Sequence, residues 1–98
     1  KKYEALARQG DANAQFELGS MYEVGGLVTQ NHNKALEWYT KAAEQGYAKA
    51  QYRLGSMYFY GNGVHQNLST AKNFFCQACD NGDKNSCEKY EDLRELGY

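Results

Sequence analysis

The sequence repeats itself at a fixed interval of 36 residues. The segment DANAQFELGSMYEVGGLVTQNHNKALEWYTKAAEQG (residues 11–46) aligns without a gap with YAKAQYRLGSMYFYGNGVHQNLSTAKNFFCQACDNG (residues 47–82). A supersecondary unit of this length cannot bury its apolar face alone, so neighbouring units must stack to form a continuous core. The repeat therefore predicts a solenoid of stacked units.

Apolar residues in the first half of each unit follow the spacing i, i+4, i+7, i+8, which places them on one face of a helix. They are Ala14, Leu18, Met21 and Tyr22 in the first unit, and Ala50, Leu54, Met57 and Tyr58 in the second. These helices, here named A, are predicted over residues 12–23 and 48–59. Gly19 and Gly55 lie inside them at a cost of about 1 kcal/mol relative to alanine, which indicates the close approach of a second helix.

The second half of each unit predicts another helix, here named B, over residues 34–45 and 70–81. Its apolar stripe comprises Ala35, Trp38, Tyr39 and Ala42 in the first unit, and Ala71, Phe74, Phe75 and Ala78 in the second. The N-terminal caps are either Asn31 or Asn33, and either Asn67 or Ser69. Glycines end each B helix, and glycines in the turns supply positive φ.

Both ends of the chain continue the same frame as half-repeats. Residues 1–10 align with 37–46 and predict a B helix, while residues 83–98 align with 11–26 and predict an A helix. The expected fold is all-α: one domain, residues 1–98, of six helices in the order B-A-B-A-B-A. Charged residues surround most of the last helix, as in a terminal capping helix, whereas the N-terminus is expected to be a cut through a longer array.

The charge balance argues against two classes of partner. The chain has 98 residues, with 11 basic and 12 acidic side chains and a formal net charge of −1. This balance provides neither a basic footprint for nucleic acid nor a polybasic patch for lipid. No apolar run is long enough to insert into a membrane, and the start lacks both Met and a signal-peptide pattern, which leaves the compartment open.

The pattern AxAQxxLGxMYxxGxGVxQNxxxAxxxxxxAxxxG, which runs from Ala48 to Gly82, resembles the Sel1-like repeat, a relative of the tetratricopeptide repeat. Two full units and two halves cover nearly the whole chain. The first unit departs from the pattern where GGL at residues 25–27 replaces GNG at residues 61–63. The resemblance implies an α/α superhelix of helical hairpins.

All three cysteines lie in the stretch CQACDNGDKNSC, residues 76–87. Cys76 and Cys79 form a C-x-x-C motif, but a reactive motif of this kind lies at a helix N-terminus, whereas this one ends a B helix. A structural zinc site needs four ligands, and His65 lies at the opposite end of the unit. Redox and zinc roles remain open as alternatives.

A disulfide is the third interpretation of the cysteines. Cβ atoms three residues apart on a helix are about 5–6 Å apart, whereas a disulfide needs about 3.8 Å, so Cys76 and Cys79 are poorly placed. Cys79 and Cys87 flank a tight turn, and three reduced thiols are the alternative.

The stretch also resembles the cysteine-rich secreted bacterial Sel1-like proteins, whose bonded cysteines lie eight positions apart. This resemblance implies a Cys79–Cys87 disulfide, a free Cys76 and a periplasmic or secreted location; otherwise the protein is cytoplasmic.

The A helices of an α-solenoid usually line its concave side, which predicts a binding surface for a protein or an extended peptide. Candidates are residues of the A helices outside the core stripe. They are Phe16, Ser20, Lys49, Tyr52, Arg53, Ser56, Phe59, Glu88 and Asp92, together with Asn13, Glu23, Asn85 and Glu95. Tyr52 and Arg53 are of residue types enriched at binding hot spots.

The predicted function is a non-enzymatic interaction module, a scaffold or adaptor without cofactor or metal. Two alternatives remain open. Resemblance to the cysteine-rich relatives implies binding or slow hydrolysis of β-lactam or peptidoglycan-like ligands, although no Ser, His and Asp arrangement supports acyl transfer. The other is thiol redox chemistry at the C-x-x-C motif. His32 and His65 are expected to be solvated turn residues, and the sequence does not determine the partner or the oligomeric state.

Overall fold

The computed structural model describes residues 2–98, and within this range every regular element is an α-helix. The helices are α1 (Lys2–Arg8), α2 (Ala12–Val24), α3 (His32–Glu44), α4 (Ala48–Tyr60), α5 (Leu68–Asp80) and α6 (Lys84–Glu95). α1, α3 and α5 are the B helices, and α2, α4 and α6 are the A helices, which confirms the predicted order. Contacts join each helix to its neighbours in the chain, so the molecule is elongated, with extents of 43 × 24 × 16 Å.

The B helices begin at the earlier of the two predicted cap residues. The Oδ1 atom of Asn31 accepts a hydrogen bond from the backbone N–H of Lys34 at 3.0 Å, and Asn67 accepts from Thr70 at 3.0 Å. Each bond satisfies a donor that the first turn of a helix leaves unpaired. Consequently α3 and α5 each start two residues before the predicted boundary.

His32 is not the solvated turn residue that the sequence predicted. It is the first residue of α3, and its Nδ1 atom is buried without a hydrogen-bond partner among residues 2–98. The turn between α4 and α5 covers it so closely that a Cβ at Gly63 would lie 2.9 Å from the His32 Cβ. His65 lies exposed in that same turn, as expected.

Two glycines allow the B helices to approach the A helices, as predicted. A Cβ at Gly19 would lie 2.8 Å from the ring of Tyr39, and a Cβ at Gly55 would lie 2.7 Å from the ring of Phe75. Any larger residue would displace a fully buried aromatic ring. α6 carries an exposed glutamate, Glu91, at the equivalent position. The face that packs against a following B helix in α2 and α4 is therefore charged in α6.

The predicted apolar stripes form the core. Its buried hydrophobic residues are Ala7, Ala14, Leu18, Ala35, Tyr39, Ala42, Ala43, Ala50, Leu54, Met57, Ala71, Phe75, Ala78 and Leu93. Six of the fourteen are large side chains and eight are alanines, because an alanine on one helix lets the neighbouring backbone approach. Met21, Tyr22, Trp38, Tyr58 and Phe74 complete the stripes as half-buried residues.

A repeated contact joins each B helix to the A helix that follows it. The side-chain amide of Gln15 donates to the carbonyl oxygen of Ala7 at 3.1 Å, and that of Gln51 donates to Ala43 at 3.0 Å. Both glutamines are buried. At the third junction the equivalent positions are Cys79 and Cys87, which form a disulfide with a Cα–Cα distance of 4.7 Å.

The disulfide is therefore a covalent replacement for a buried hydrogen bond, and it connects the pair that the sequence indicated. Cys76 is half-buried and has a free thiol. Among residues 2–98, no group of three or more His, Cys, Asp or Glu side chains is arranged to hold a metal ion. None of the helices in this range has the length and apolar character needed to cross a membrane.

Candidate interaction surface on the A helices

One groove crosses all three A helices and brings together several of the predicted residues. It encloses about 470 Å³ between the first turns of α4 and the turn that joins α5 to α6. This A-helix groove is lined by Phe16, Ala48, Lys49, Tyr52, Arg53, Asn81, Gly82, Asp83 and Asn85. Residues from successive repeat units thus meet on one surface, which a single unit could not provide.

The aromatic wall of the groove is held in place by neighbouring rings, of which Tyr39 and Phe75 are fully buried. The Phe16 ring lies 5.6 Å from the rings of both Tyr39 and Tyr47, and the Tyr52 ring lies 5.9 Å from Phe75. Tilted ring pairs at these centroid distances are favourable and restrict side-chain motion. Phe16 and Tyr52 are therefore preorganised apolar surfaces, half open to solvent.

The polar wall of the groove combines two cations with amide and carboxylate groups. Lys49 is exposed, and the amide of Asn81 is fixed by donating to the side-chain oxygen of Gln51 at 2.9 Å. This leaves the Asn81 carbonyl oxygen as an acceptor beside the groove. Amide groups next to aromatic surfaces suit an extended peptide, whose backbone needs both donors and acceptors.

Two smaller cavities lie toward the C-terminal ends of the A helices, and the first of them adjoins the groove. The first, here called the polar socket, encloses about 220 Å³ and is lined by Glu23, Tyr52, Arg53, Ser56, Met57, Tyr60 and Asn62. The second, here called the apolar socket, encloses about 430 Å³ and is lined by Phe59, Lys89, Asp92, Leu93, Glu95 and Leu96. Tyr52 and Arg53 belong to both the groove and the polar socket.

The nine predicted residues are consequently divided among several places. Phe16, Lys49, Tyr52 and Arg53 line the groove, and Ser56 lies in the polar socket. Phe59 and Asp92 lie in the apolar socket, while Glu88 lines a shallow depression beside Cys87. Ser20 lines none of these cavities and points toward the core, where its Oγ lies 3.1 Å from the phenol oxygen of buried Tyr39.

Sequence reasoning missed the contribution of the turns. Asn81, Gly82 and Asp83 come from the turn before α6, and Asn62 follows the end of α4. The predicted residues all lie on the A helices, although the turns adjoin the ends of these helices in a helical hairpin. The run of short polar residues in DNGD, residues 80–83, is the signal that pointed to an exposed polar turn at this position.

A buried polar cluster supports the polar socket from below. The Tyr39 phenol donates a hydrogen bond to Glu23 Oε1 at 2.6 Å, and Arg53 Nε lies 3.7 Å from the same oxygen. Burial raises the pKa of the Tyr39 phenol well above the ordinary value of 10.0, and the hydrogen bond to the Glu23 carboxylate raises it further. Tyr39 therefore remains a neutral donor wherever the protein is folded near neutral pH.

Replacing Tyr39 is expected to change the pH dependence of stability. Above pH 10 the unfolded chain releases the Tyr39 proton while the folded chain retains it, so rising pH favours unfolding. In that range the Tyr39 phenol lowers the free energy of unfolding by about 1.4 kcal/mol per pH unit. Tyr39→Phe is expected to abolish this contribution. Denaturant unfolding at pH 9 and pH 11 measures the slope, in a Cys76→Ser background that prevents thiol–disulfide exchange. Tyr58→Phe is the control, and a Tyr39→Phe slope equal to the parent's contradicts the assignment.

Two S-x-x-K spacings, a pattern found in acyl-transfer enzymes, escaped the sequence reasoning. In the first, Ser69 is exposed, and the Lys72 ammonium lies over the Tyr90 ring at 5.9 Å and donates to the backbone oxygen of Tyr98. In the second, Ser86 is fully buried and donates its hydroxyl proton to Asp83. Ser86 is too deeply buried to reach a substrate. Lys72 holds its protons as a hydrogen-bond donor and so does not act as a base on Ser69.

Comparison with known sequences decides the family. The sequence model of the Sel1 repeat matches residues 12–47 and residues 48–83. The chain belongs to the Sel1 repeat family. Sel1 repeats typically mediate protein–protein interactions, and proteins with this fold are generally non-enzymatic scaffolds. No curated protein sequence matches the chain.

Solved structures of Sel1 repeat proteins from bacteria are similar to this one. They include c5321, a protective antigen of uropathogenic Escherichia coli with an SLR fold (TM-score 0.92, 33% identity, 98% of this chain and 21% of that one). A Sel1 repeat protein from Oxalobacter formigenes follows (TM-score 0.84, 38% identity, 90% and 36%). Helicobacter pylori cysteine rich protein B is also similar (TM-score 0.76, 31% identity, 79% and 58%). The Sel1 chain spans less than two thirds of each of these proteins.

Proposed function

We propose that this Sel1 repeat chain is a protein-interaction module whose A-helix groove binds an extended segment of a partner protein. The observation that carries the proposal is the groove itself, which joins aromatic, cationic and amide side chains from three successive A helices. A long shallow site of this kind suits a chain segment better than a small compact ligand, because binding groups are distributed along it.

Two side chains are expected to contribute most of the binding energy. Tyr52 offers a ring held against Phe75, and Arg53 offers a guanidinium that is 43% exposed. Tyrosine and arginine are enriched among interface hot spots because each combines apolar area with directional hydrogen bonding. Both residues also lie where the groove meets the polar socket, so a bound segment would contact them from two directions.

Selection from a phage-displayed library of random twelve-residue peptides tests the proposal. The Tyr52→Ala/Arg53→Ala variant is expected to bind the selected peptides at least about tenfold more weakly than the parent chain, because it lacks two hot-spot side chains. Fluorescence polarisation with synthetic copies of the peptides measures the affinities.

The chain offers a control of matched chemistry. Tyr3 and Arg8 are exposed on α1, away from the groove, so Tyr3→Ala/Arg8→Ala removes the same residue types elsewhere. This variant is expected to bind as the parent does. Failure to select any peptide, or equal affinity for the parent and the Tyr52→Ala/Arg53→Ala variant, would remove the groove from consideration.

We also propose an extracytoplasmic location, periplasmic or secreted. The Cys79–Cys87 disulfide supports it, since disulfides persist mainly in oxidising compartments. Similarity to a cysteine-rich bacterial protein of the same fold adds to this support. Protein isolated unreduced from its native cell is expected to show one titratable thiol on denaturation, and three would contradict the location.

A further inference from the structure

The polar and apolar sockets are the same site repeated with different chemistry. Moving one repeat along the chain converts the floor residue Glu23 into Phe59, the cation Arg53 into Lys89, and the rim residue Tyr60 into Leu96. The two cavities therefore have a common architecture between successive A helices. Their different lining chemistry indicates that they receive different side chains.

The polar socket contains a cation, Arg53, whose side chain is 43% exposed. The Glu23 carboxylate is only 14% exposed and already accepts a hydrogen bond from the Tyr39 phenol. The Arg53 Nε atom is buried 3.7 Å from the Glu23 carboxylate, beyond hydrogen-bond distance, and has no acceptor among residues 2–98. The Arg53 side chain is nevertheless 43% exposed, so the rest of its guanidinium, with Ser56 and Asn62 beside it, is open to an incoming carboxylate.

The apolar socket is arranged to reject a carboxylate. Phe59, Leu93 and Leu96 form its apolar surface, and the Phe59 ring is fixed by the Tyr60 and Phe75 rings at 4.8 and 6.4 Å. The single cation, Lys89, lies over the Phe59 ring at 5.8 Å. Asp92 and Glu95 occupy the rim and repel acidic groups, so an uncharged apolar side chain fits this cavity.

We propose that a partner segment seated on this face places a carboxylate in the polar socket and an apolar side chain in the apolar socket, three residues apart. The inference rests on the proposed function and specifies the chemistry of the partner. The two sockets lie one repeat apart, at equivalent positions along successive A helices. Three residues of extended chain span about 10 Å, which is about the distance between the axes of neighbouring helices, and this sets the proposed spacing of the two side chains.

The sequences of peptides selected on the parent chain and on matched variants test this inference. Parent-selected peptides are expected to be enriched about tenfold in an acidic residue three positions from Phe, Leu, Ile or Met. Arg53→Gln is expected to remove the acidic preference and keep the apolar one, whereas Arg53→Lys keeps both. Leu96→Ser is expected to remove the apolar preference and keep the acidic one. It leaves the fold intact because Leu96 is 73% exposed.

The outcomes separate this inference from the proposed function. Selected peptides without the three-residue spacing, or variants that select the same sequences as the parent, overturn the two-socket arrangement and leave the groove proposal standing. A library that yields no binding peptide overturns both the two-socket arrangement and the groove proposal. Sedimentation provides one more outcome: a parent dimer that Leu96→Ser dissociates would assign the apolar socket to a second copy of the chain and overturn the inference.

Discussion

Phe75→Ala is expected to lower the free energy of unfolding by about 3–5 kcal/mol, the usual cost of deleting a buried phenylalanine ring. Phe75 is 0% exposed and fills the space that Gly55 leaves between α4 and α5. It also supports Tyr52 and Phe59 on the A-helix face. Urea unfolding followed by circular dichroism measures the loss, and the cavity would loosen the binding surface as well as the core.

The neighbouring residue provides a matched control. Phe74 is half-buried and stacks on Tyr58 at 5.9 Å, so Phe74→Ala deletes the same ring from a site that water can refill. A smaller loss than for Phe75→Ala is expected. Equal losses for the two variants would show that burial against Gly55 is not what makes Phe75 important.

Removing the disulfide is expected to have the second-largest effect. In the chain-entropy treatment a loop of this length stabilises the folded state by about 2–3 kcal/mol, and Cys79→Ala/Cys87→Ala loses this amount. Cys79→Ala/Cys87→Gln recreates the pair found at Ala43 and Gln51, so its amide can donate to the carbonyl of residue 79. This variant is expected to recover about 1 kcal/mol of the loss.

Denaturant unfolding of the two double variants under identical conditions measures the difference. Cys76→Ser serves as the control, because Cys76 is half-buried and forms no disulfide, and its effect is expected to stay within about 1 kcal/mol. A glutamine variant no more stable than the alanine variant would contradict the equivalence between the disulfide and the buried hydrogen bond.

The helices could be predicted closely because their determinants are local. The spacing of Leu18, Leu54 and their neighbours identifies one buried face, and that face persists in the structure. Gly19 and Gly55 indicated close helix contacts, since nothing else justifies their cost inside a helix. The starts of α3 and α5 were less certain, because two side chains in each unit, two positions apart, can cap a helix and only the backbone path selects one.

The candidate site was predictable in its residue types but not in its grouping. Lys49, Tyr52 and Arg53 share a helix, so their proximity followed from the sequence. Phe16 and Asn85 lie far away in the chain, and they join the groove only because the units stack. Ser20 satisfied the same positional rule as Ser56, yet it turns inward, because the B helix beside it carries Tyr39 whereas the next carries Phe75.

The sequence by itself determined the repeat frame, the six helices and the core stripes. These features depend on the local periodicity of side chains and on the interval between units. The pairing of Cys79 with Cys87 was implied by the resemblance to cysteine-rich relatives. Only the tertiary structure decided which residues share a cavity, that His32 is covered, and that one socket is polar and the next apolar. Such features arise where helices from different units meet, and contact between units depends on three-dimensional packing that no local pattern encodes.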